Sequence, residues 1–223
     1  QQLAERILKD TQITGGLIVH LGCGDTPLTA ALAADSSYLV QGLDRDPEAV
    51  QKARRRIRSL GRYGQVTVDT LRGDRLPYVD NLVNLVLVEE PDDVAVGEVM
   101  RVLRPGGVAF VKRAGVWKKS IKPWPGEIDE WTHFLHGPDN NAVGHDQLVD
   151  IPRHLKWLGK PKFARAHEQL ASMSGCVTTG GRLFYIIDEA ARADVRFPSQ
   201  WFLVARDAFN GVVLWKRPIS NWA

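Results

Sequence analysis

Gly22, Cys23 and Gly24 make a glycine-bracketed turn, and Asp44 follows at the separation of about 20 residues that βαβ units use to bind nucleotides. Glycines let the backbone bend sharply and come close to a ligand, and the free N–H groups of a helix start add donors and partial positive charge. A carboxylate at the end of the next strand accepts hydrogen bonds from both hydroxyls of a ribose. Asp44 is also compatible with a plain helix cap or an exposed loop acid. A second group of chemically capable residues lies in W-T-H-F-L-H-G-P-D-N-N-A-V-G-H-D, residues 131–146, where His133, His136 and His145 accompany Asp139 and Asp146. These are metal-ligand types, but H-x-x-H is not the helical i, i+4 spacing, and Gly137-Pro138 breaks the segment into loop. The expectation is that they tie an extended loop down through side-chain hydrogen bonds, and no metal is assigned.

The elements that would position the glycine turn alternate. Leu17 to Leu21 is an apolar run suited to a strand; Thr26 is a candidate helix cap and Pro27 a first helical residue before L-T-A-A-L-A-A. Leu3, Ile7 and Leu8 give a short leading helix, expected along a sheet edge. Tyr38 to Leu43 reads as the second strand, and Asp46-Pro47 opens a helix with Val50, Ala53, Ile57 and Leu60 on its apolar face and Gly61 past its end. Lys52, Arg54, Arg55, Arg56 and Arg58 fall on its remaining faces and are expected to be solvated. Gln65 to Leu71 and Leu82 to Val88 supply two more strands. A helix through Val94, Val99, Met100 and Leu103 stops at Arg104-Pro105-Gly106-Gly107, before a fifth strand from Val108 to Val111. Such alternation predicts an α/β, Rossmann-like doubly wound parallel sheet whose ligands bind at the carboxyl ends of the strands.

H-L-G-C-G-D, G-L-D-R-D-P-E, G-D-R-L-P-Y-V-D-N-L-V-N-L-V and E-V-M-R-V-L-R-P-G-G-V together resemble, in order and spacing, the landmarks of class I S-adenosylmethionine-dependent methyltransferases, over residues 1–115. The resemblance implies S-adenosylmethionine as cofactor. It places Gly22, Cys23 and Gly24 under the methionine and ribose, Asp44 on the ribose hydroxyls and Asp74 toward the adenine amino group. Leu43, Arg45 and Leu76 would flank the base, and Glu89, with Glu90 beside it, would face the methyl-donor end as the catalytic candidate. His20 stands in the binding turn where the family usually has an acid, and Thr26 where it has a third glycine. A protonated imidazole at position 20 would repel the cofactor's cationic end; a buried neutral histidine satisfied by backbone is the other reading.

Beyond Lys112 the family pattern lapses. Trp117 to Pro125 reads as irregular, and residues 116–165 are expected to be linker. From 166 to 223 short β-prone runs are punctuated by Gly180-Gly181 and Asn210-Gly211. A-R-D-A-F-N-G-V-V-L-W resembles the blade signature of quinoprotein (PQQ-like) β-propellers, with Asp207, Gly211 and Trp215 at matching places. One blade of the four to eight a propeller needs is present, so the chain is expected to be a fragment whose partners are further blades or a second copy joined through the C-terminal strands.

The 223 residues carry a net charge of +3, which gives no electrostatic case for nucleic acid. Two cysteines make no disulfide framework, and no apolar run is long enough to span a membrane. Three functions follow: methyl transfer to an unknown acceptor, a binding or assembly module on a methyltransferase fold that no longer turns over, or part of a quinone-dependent oxidoreductase. The compartment stays open, since the methyl donor is cytosolic whereas quinoprotein-like propellers are often exported.

Overall fold

Strand β1, Gly16–Leu21, and strand β4, Val83–Val88, have every residue buried, the pattern of neighbouring strands in the middle of a sheet covered on both faces. Residues 1–24, 27–89, 94–148, 155–160, 173–190 and 198–220 are described by the computed structural model, and they divide into two units, Gln1–Trp124 and Pro125–Ala223.

In the first unit the remaining elements are α1 (Gln2–Thr11), α2 (Pro27–Ala31), β2 (Tyr38–Asp44), α3 (Pro47–Ser59), β3 (Val66–Thr70), α4 (Val96–Val102), β5 (Leu103–Arg113) and β6 (Val116–Ile121). The sheet runs β3-β2-β1-β4-β5-β6, parallel except for the antiparallel β5–β6 pair. The chain winds outward from β1 through β2 to β3, then crosses back to β4, so the switch point lies between β1 and β4. One face is packed by Ala4, Ile7, Leu28, Leu32, Val50 and Ile57 from the first three helices. The leading helix therefore covers a face of the sheet rather than its edge. The other face carries Val99 and Val102 of α4 against Val19, Leu21, Val86 and Ala109.

Local chemistry explains most of the boundaries. Asp46 caps α3, its side chain accepting from the Glu48 N–H at 2.9 Å, and Pro47 takes the first turn where no donor is missed. Val50, Ala53 and Ile57 are buried as expected, but Leu60 is 54% exposed, because the helix ends beneath it and Gly61 turns left-handed at φ 66°. The basic residues of α3 are mostly exposed; Arg54 alone is half-buried, reaching the Val68 carbonyl and Asp69.

Two expectations fail at the end of this unit. The stretch Arg104 to Gly107 does not precede the fifth strand but lies within it: β5 starts at Leu103 and bulges before Val108 resumes pairing with Leu85. Gly107 has no room for a side chain there, since a Cβ would stand 2.8 Å from the Arg104 carbonyl and 3.0 Å from that of Val83. Trp117 to Pro125 is not irregular linker for most of its length. Ala114 and Gly115, both at positive φ, turn the chain into a hairpin, and β6 pairs along β5 from Val116 to Ile121. Trp117 stacks flat on Phe110 as a diagonal cross-strand neighbour, ring centroids 5.1 Å apart. The boundary between units falls after Trp124 rather than at residue 115.

The second unit contains β7 (Met173–Thr179), β8 (Arg182–Asp188), β9 (Trp201–Asp207) and β10 (Val213–Pro218), an antiparallel meander in the order β10-β9-β8-β7. Tyr185, Ile187 and Val204 form its buried apolar cluster. Residues 125–148 precede the sheet without a helix or strand, closed on themselves by a bond from the Gln147 N–H to the Glu127 carbonyl.

Candidate functional site

The turn after β1 is pinned from both neighbouring strands. Gly22 and Cys23 donate their N–H groups to the Leu43 carbonyl at 3.0 and 3.4 Å, and the Glu89 N–H donates to the Leu21 carbonyl at 3.3 Å. Gly22 and Gly24 sit at φ 68° and 48°, a region that costs any residue with a Cβ, and so the two glycines are required by geometry. Asp44, at the end of β2, points its carboxylate at this turn. Its Oδ2 accepts the Gly24 N–H at 2.6 Å and its Oδ1 accepts the Asp46 N–H at 2.9 Å. Each oxygen thereby keeps acceptor capacity for another donor.

Cys23 is fully buried, and burial, reinforced by the charges of Asp44 and Glu89, pushes its thiol up to about 12. It faces Gly42, where a Cβ would stand 2.8 Å from the Cys23 sulfur and 3.1 Å from the Thr29 methyl carbon. Gly42 belongs to the site for this reason, and no spacing rule pointed to it.

His20 is also fully buried. Its Nδ1 lies 2.9 Å from the Thr29 hydroxyl and its Nε2 3.1 Å from Glu89 Oε1. A carboxylate can only accept, so Nε2 carries the proton and donates it. The imidazole is satisfied by side chains, not by the backbone. The His20 hydrogen bond holds the Glu89 carboxyl below the usual carboxylate range against the opposing effect of burial, with Lys112 Nζ at 3.6 Å from the other oxygen adding to it.

The proposed adenine-side residues are distributed differently. Arg45 and Asp74 are brought together at 3.3 Å, with Asp74 almost fully exposed. Leu43 and Leu76 are both buried in the core, where Leu76 donates its N–H to Glu98 at 2.7 Å. A cavity of about 480 Å³ opens at the carboxyl ends of β2 and β3, walled by Gln41, Leu43, Asp69, Leu71, Arg72 and Arg75. Thr26 and Glu90 lie outside the described residues.

The matching family model is a methyltransferase domain, and it aligns with residues 18–107. The matched residues lie within the first unit. Methyltransferase GfsG of Streptomyces halstedii is 29% identical to the chain over 114 residues, 48% of this chain and 41% of that protein. Among solved structures, a SAM-dependent methyltransferase from Aquifex aeolicus is 20% identical with a TM-score of 0.44, covering 48% of this chain and 62% of its own. Geranyl diphosphate methyltransferase in complex with SAM is 22% identical with a TM-score of 0.44, covering 49% and 47%. The chain spans less than two thirds of the length of each of these relatives. The methyltransferase domain match runs from Ile18 within β1 to the bulge of β5, and so it takes in every site residue named above except Lys112.

In the second unit, the loop histidines divide. His136 and His145 converge on Asp129, a residue that sequence reasoning missed; its carboxyl is lowered to about 2, first by the His145 backbone N–H, then by His136. His133 pairs with Thr132 instead, and Asp139 accepts the Asn141 N–H. The hydrogen bond between His136 and Asp129, at 2.7 Å, is of the loop-tying kind expected.

Asp207, only 2% exposed, accepts the Phe209 and Asn210 N–H groups and so shapes the turn before β10. Gly211 is left-handed at φ 73°, and a Cβ there would collide with the Trp157 ring at 2.3 Å. It is Trp157 that covers this turn. Trp215 is 36% exposed beside Phe184.

Proposed function

We propose that the first unit is an S-adenosylmethionine-dependent methyltransferase acting on an acceptor that these residues do not name. The observation that carries the proposal is the direction of the Asp44 carboxylate, turned to the glycine turn with both oxygens still able to accept. That is the donor and acceptor pattern a ribose diol calls for, and in this sense the residues present fit the cofactor. Gly22, Gly24 and Asp44 would hold the adenosyl group, and the cofactor when bound supplies an electrophilic methyl on a cationic sulfur. What the chain contributes is binding, orientation and exclusion of water, which can supply most of the acceleration without an obligatory base.

Glu89 has a distinct part. The family's acid is replaced by His20, and the negative charge stands one strand over at the end of β4, held by the very histidine that displaced it. A carboxylate kept ionised is a poor base but a good counter-charge, so Glu89 serves to steady the cationic end of the cofactor rather than to take a proton.

Calorimetric titration of the chain with S-adenosylmethionine tests this. Binding at micromolar strength is expected, weakened by about tenfold or more in Asp44→Ala, the loss appropriate to a charge-assisted hydrogen-bond pair. No heat at millimolar ligand would overturn it. A second reading, a binding or assembly module without turnover, draws on the engagement of Glu89 by His20 and Lys112, and it is distinguished by cofactor binding without methyl transfer to any acceptor. The meander of the second unit has the strand count and order of one propeller blade, and we propose it as such on the strength of the Asp207-to-Gly211 turn. Further blades or a second copy meeting the C-terminal strands belong to the same proposal, as does the quinone-dependent alternative, for which no ligand residue is identified.

A further inference from the structure

Three side chains from widely separated positions of the loop 125–148 meet at one point. A carboxylate oxygen of Asp129 and one ring nitrogen each from His136 and His145 all lie within 4.8 Å of one another. We propose that these three residues bind a divalent transition-metal cation of the zinc type, which closes this loop over itself and keeps one coordination position for water.

The donor set selects the class of ion. Two imidazoles and one carboxylate suit zinc and its neighbours, whereas calcium and magnesium call for an all-oxygen shell. Three protein ligands fill all but one position of a tetrahedral site. Bonds of 2.0–2.1 Å in such a site separate ligand atoms by about 3.3 Å. Asp129 and His136 stand 2.7 Å apart, and all three ligand atoms lie within 4.8 Å of one another, close to that spacing.

A hydrogen bond explains only part of the arrangement. His136 Nε2 is satisfied by Asp129, but among the described residues neither ring nitrogen of His145 makes a hydrogen bond, although its ring is stacked on His136 with centroids 5.3 Å apart and planes 16° apart. That placement costs side-chain entropy at an exposed position, and a shared ion offsets it. The ligands are also oriented from behind, as metal ligands generally are. Trp131 packs edge-on against the His136 ring, and the His145 and Glu130 N–H groups fix the two oxygens of Asp129. His136 itself is at φ 69°, strained backbone for a residue with a Cβ, which turns its ring back toward Asp129. His145 is exposed, so an ion can enter without opening the fold.

The test is calorimetric titration of the chelator-treated full chain with zinc chloride, repeated with His145→Gln, Asp129→Asn and His133→Ala. One equivalent should bind to the wild-type chain, and His145→Gln and Asp129→Asn should each weaken it by roughly 10- to 100-fold, as loss of a ligand or its support does. His133→Ala should bind as the wild type does. His145→Gln changes an exposed ring and preserves the fold by circular dichroism, so its result stands even if Asp129→Asn unfolds the loop. Cobalt substitution should give the visible absorption of a four-coordinate site, lost in His145→Gln. Absence of binding at about 100 μM zinc, a concentration far above the affinity of protein zinc sites, or His145→Gln binding as tightly as wild type, overturns the proposal.

Discussion

On the proposed reading, Glu89 and His20 exchange the roles that the glycine-turn pattern leads one to expect. A histidine alone in a cofactor turn would be a liability if protonated, but here its Nε2–H is committed to a carboxylate and its charge is not needed. Glu89→Gln removes the counter-charge while keeping the shape. Binding of cationic S-adenosylmethionine should weaken by about tenfold relative to its neutral demethylated product, a difference of about 1.4 kcal/mol. Equal losses for both ligands would show that Glu89 is only packing. Cys23 gives a second prediction at the same scale. Its thiol is raised to about 12 in the fold from 9.0, so the unfolded chain ionises first. The stabilising contribution is full below pH 9 and is lost as pH rises toward 12. Stability by urea denaturation should therefore fall more steeply with alkaline pH in the wild type than in Cys23→Ala.

At the scale of elements, the E-V-M-R motif owes its form to the connection it holds. Glu98 accepts the Leu76 N–H and pairs with Arg101, whose guanidinium also reaches the Tyr78 and Leu76 carbonyls and Asp80. One helix turn thus fastens the whole β3–β4 connection. Lys122, just past the end of β6, finishes the same helix: its Nζ donates to the Met100 and Leu103 carbonyls and to Asn81, occupying acceptors that the end of α4 leaves open. Burial lowers its pKa, so part of the gain is offset. Lys122→Met keeps the stem and removes the donor. A loss of about 1–2 kcal/mol is expected, read as a lower urea midpoint at unchanged slope. The strands and helices from β1 to α4, with the Asp46 cap of α3, were legible because each carries its own local signal, an apolar run, a Pro after Asp46, a Gly after the last turn of α3. The hairpin to β6 was not, because a tryptophan and two lysines in an edge strand look like linker until Trp117 is seen stacked on Phe110. Asp129 escaped for a related reason: it lies outside the histidine-rich run and joins it only when the chain folds back at Gln147.

The whole molecule combines two kinds of core, and this sets an expectation for its internal stability. The first unit has apolar clusters on both faces of its sheet, and β1 and β4 lie between them with no exposed residue. Among the described residues the second has one cluster with three buried members, and its outer strands β7 and β10 are exposed along much of their length. Apolar burial is roughly proportional to stabilisation, so local opening should cost far more in the first sheet than in the second. Native-state hydrogen exchange on the full chain distinguishes the two. Amides of Ile18 to Leu21 and Leu85 to Val88 should exchange last, at rates approaching those of global opening. Those of β8 and β9 should exchange earlier and those of β7 and β10 earliest. Equal protection in β7, β10 and β1 would mean that the second sheet is covered by contacts its own small core does not supply, which is the behaviour of a blade stacked against a neighbour. A dependence of that protection on protein concentration would identify the neighbour as a second copy of this chain.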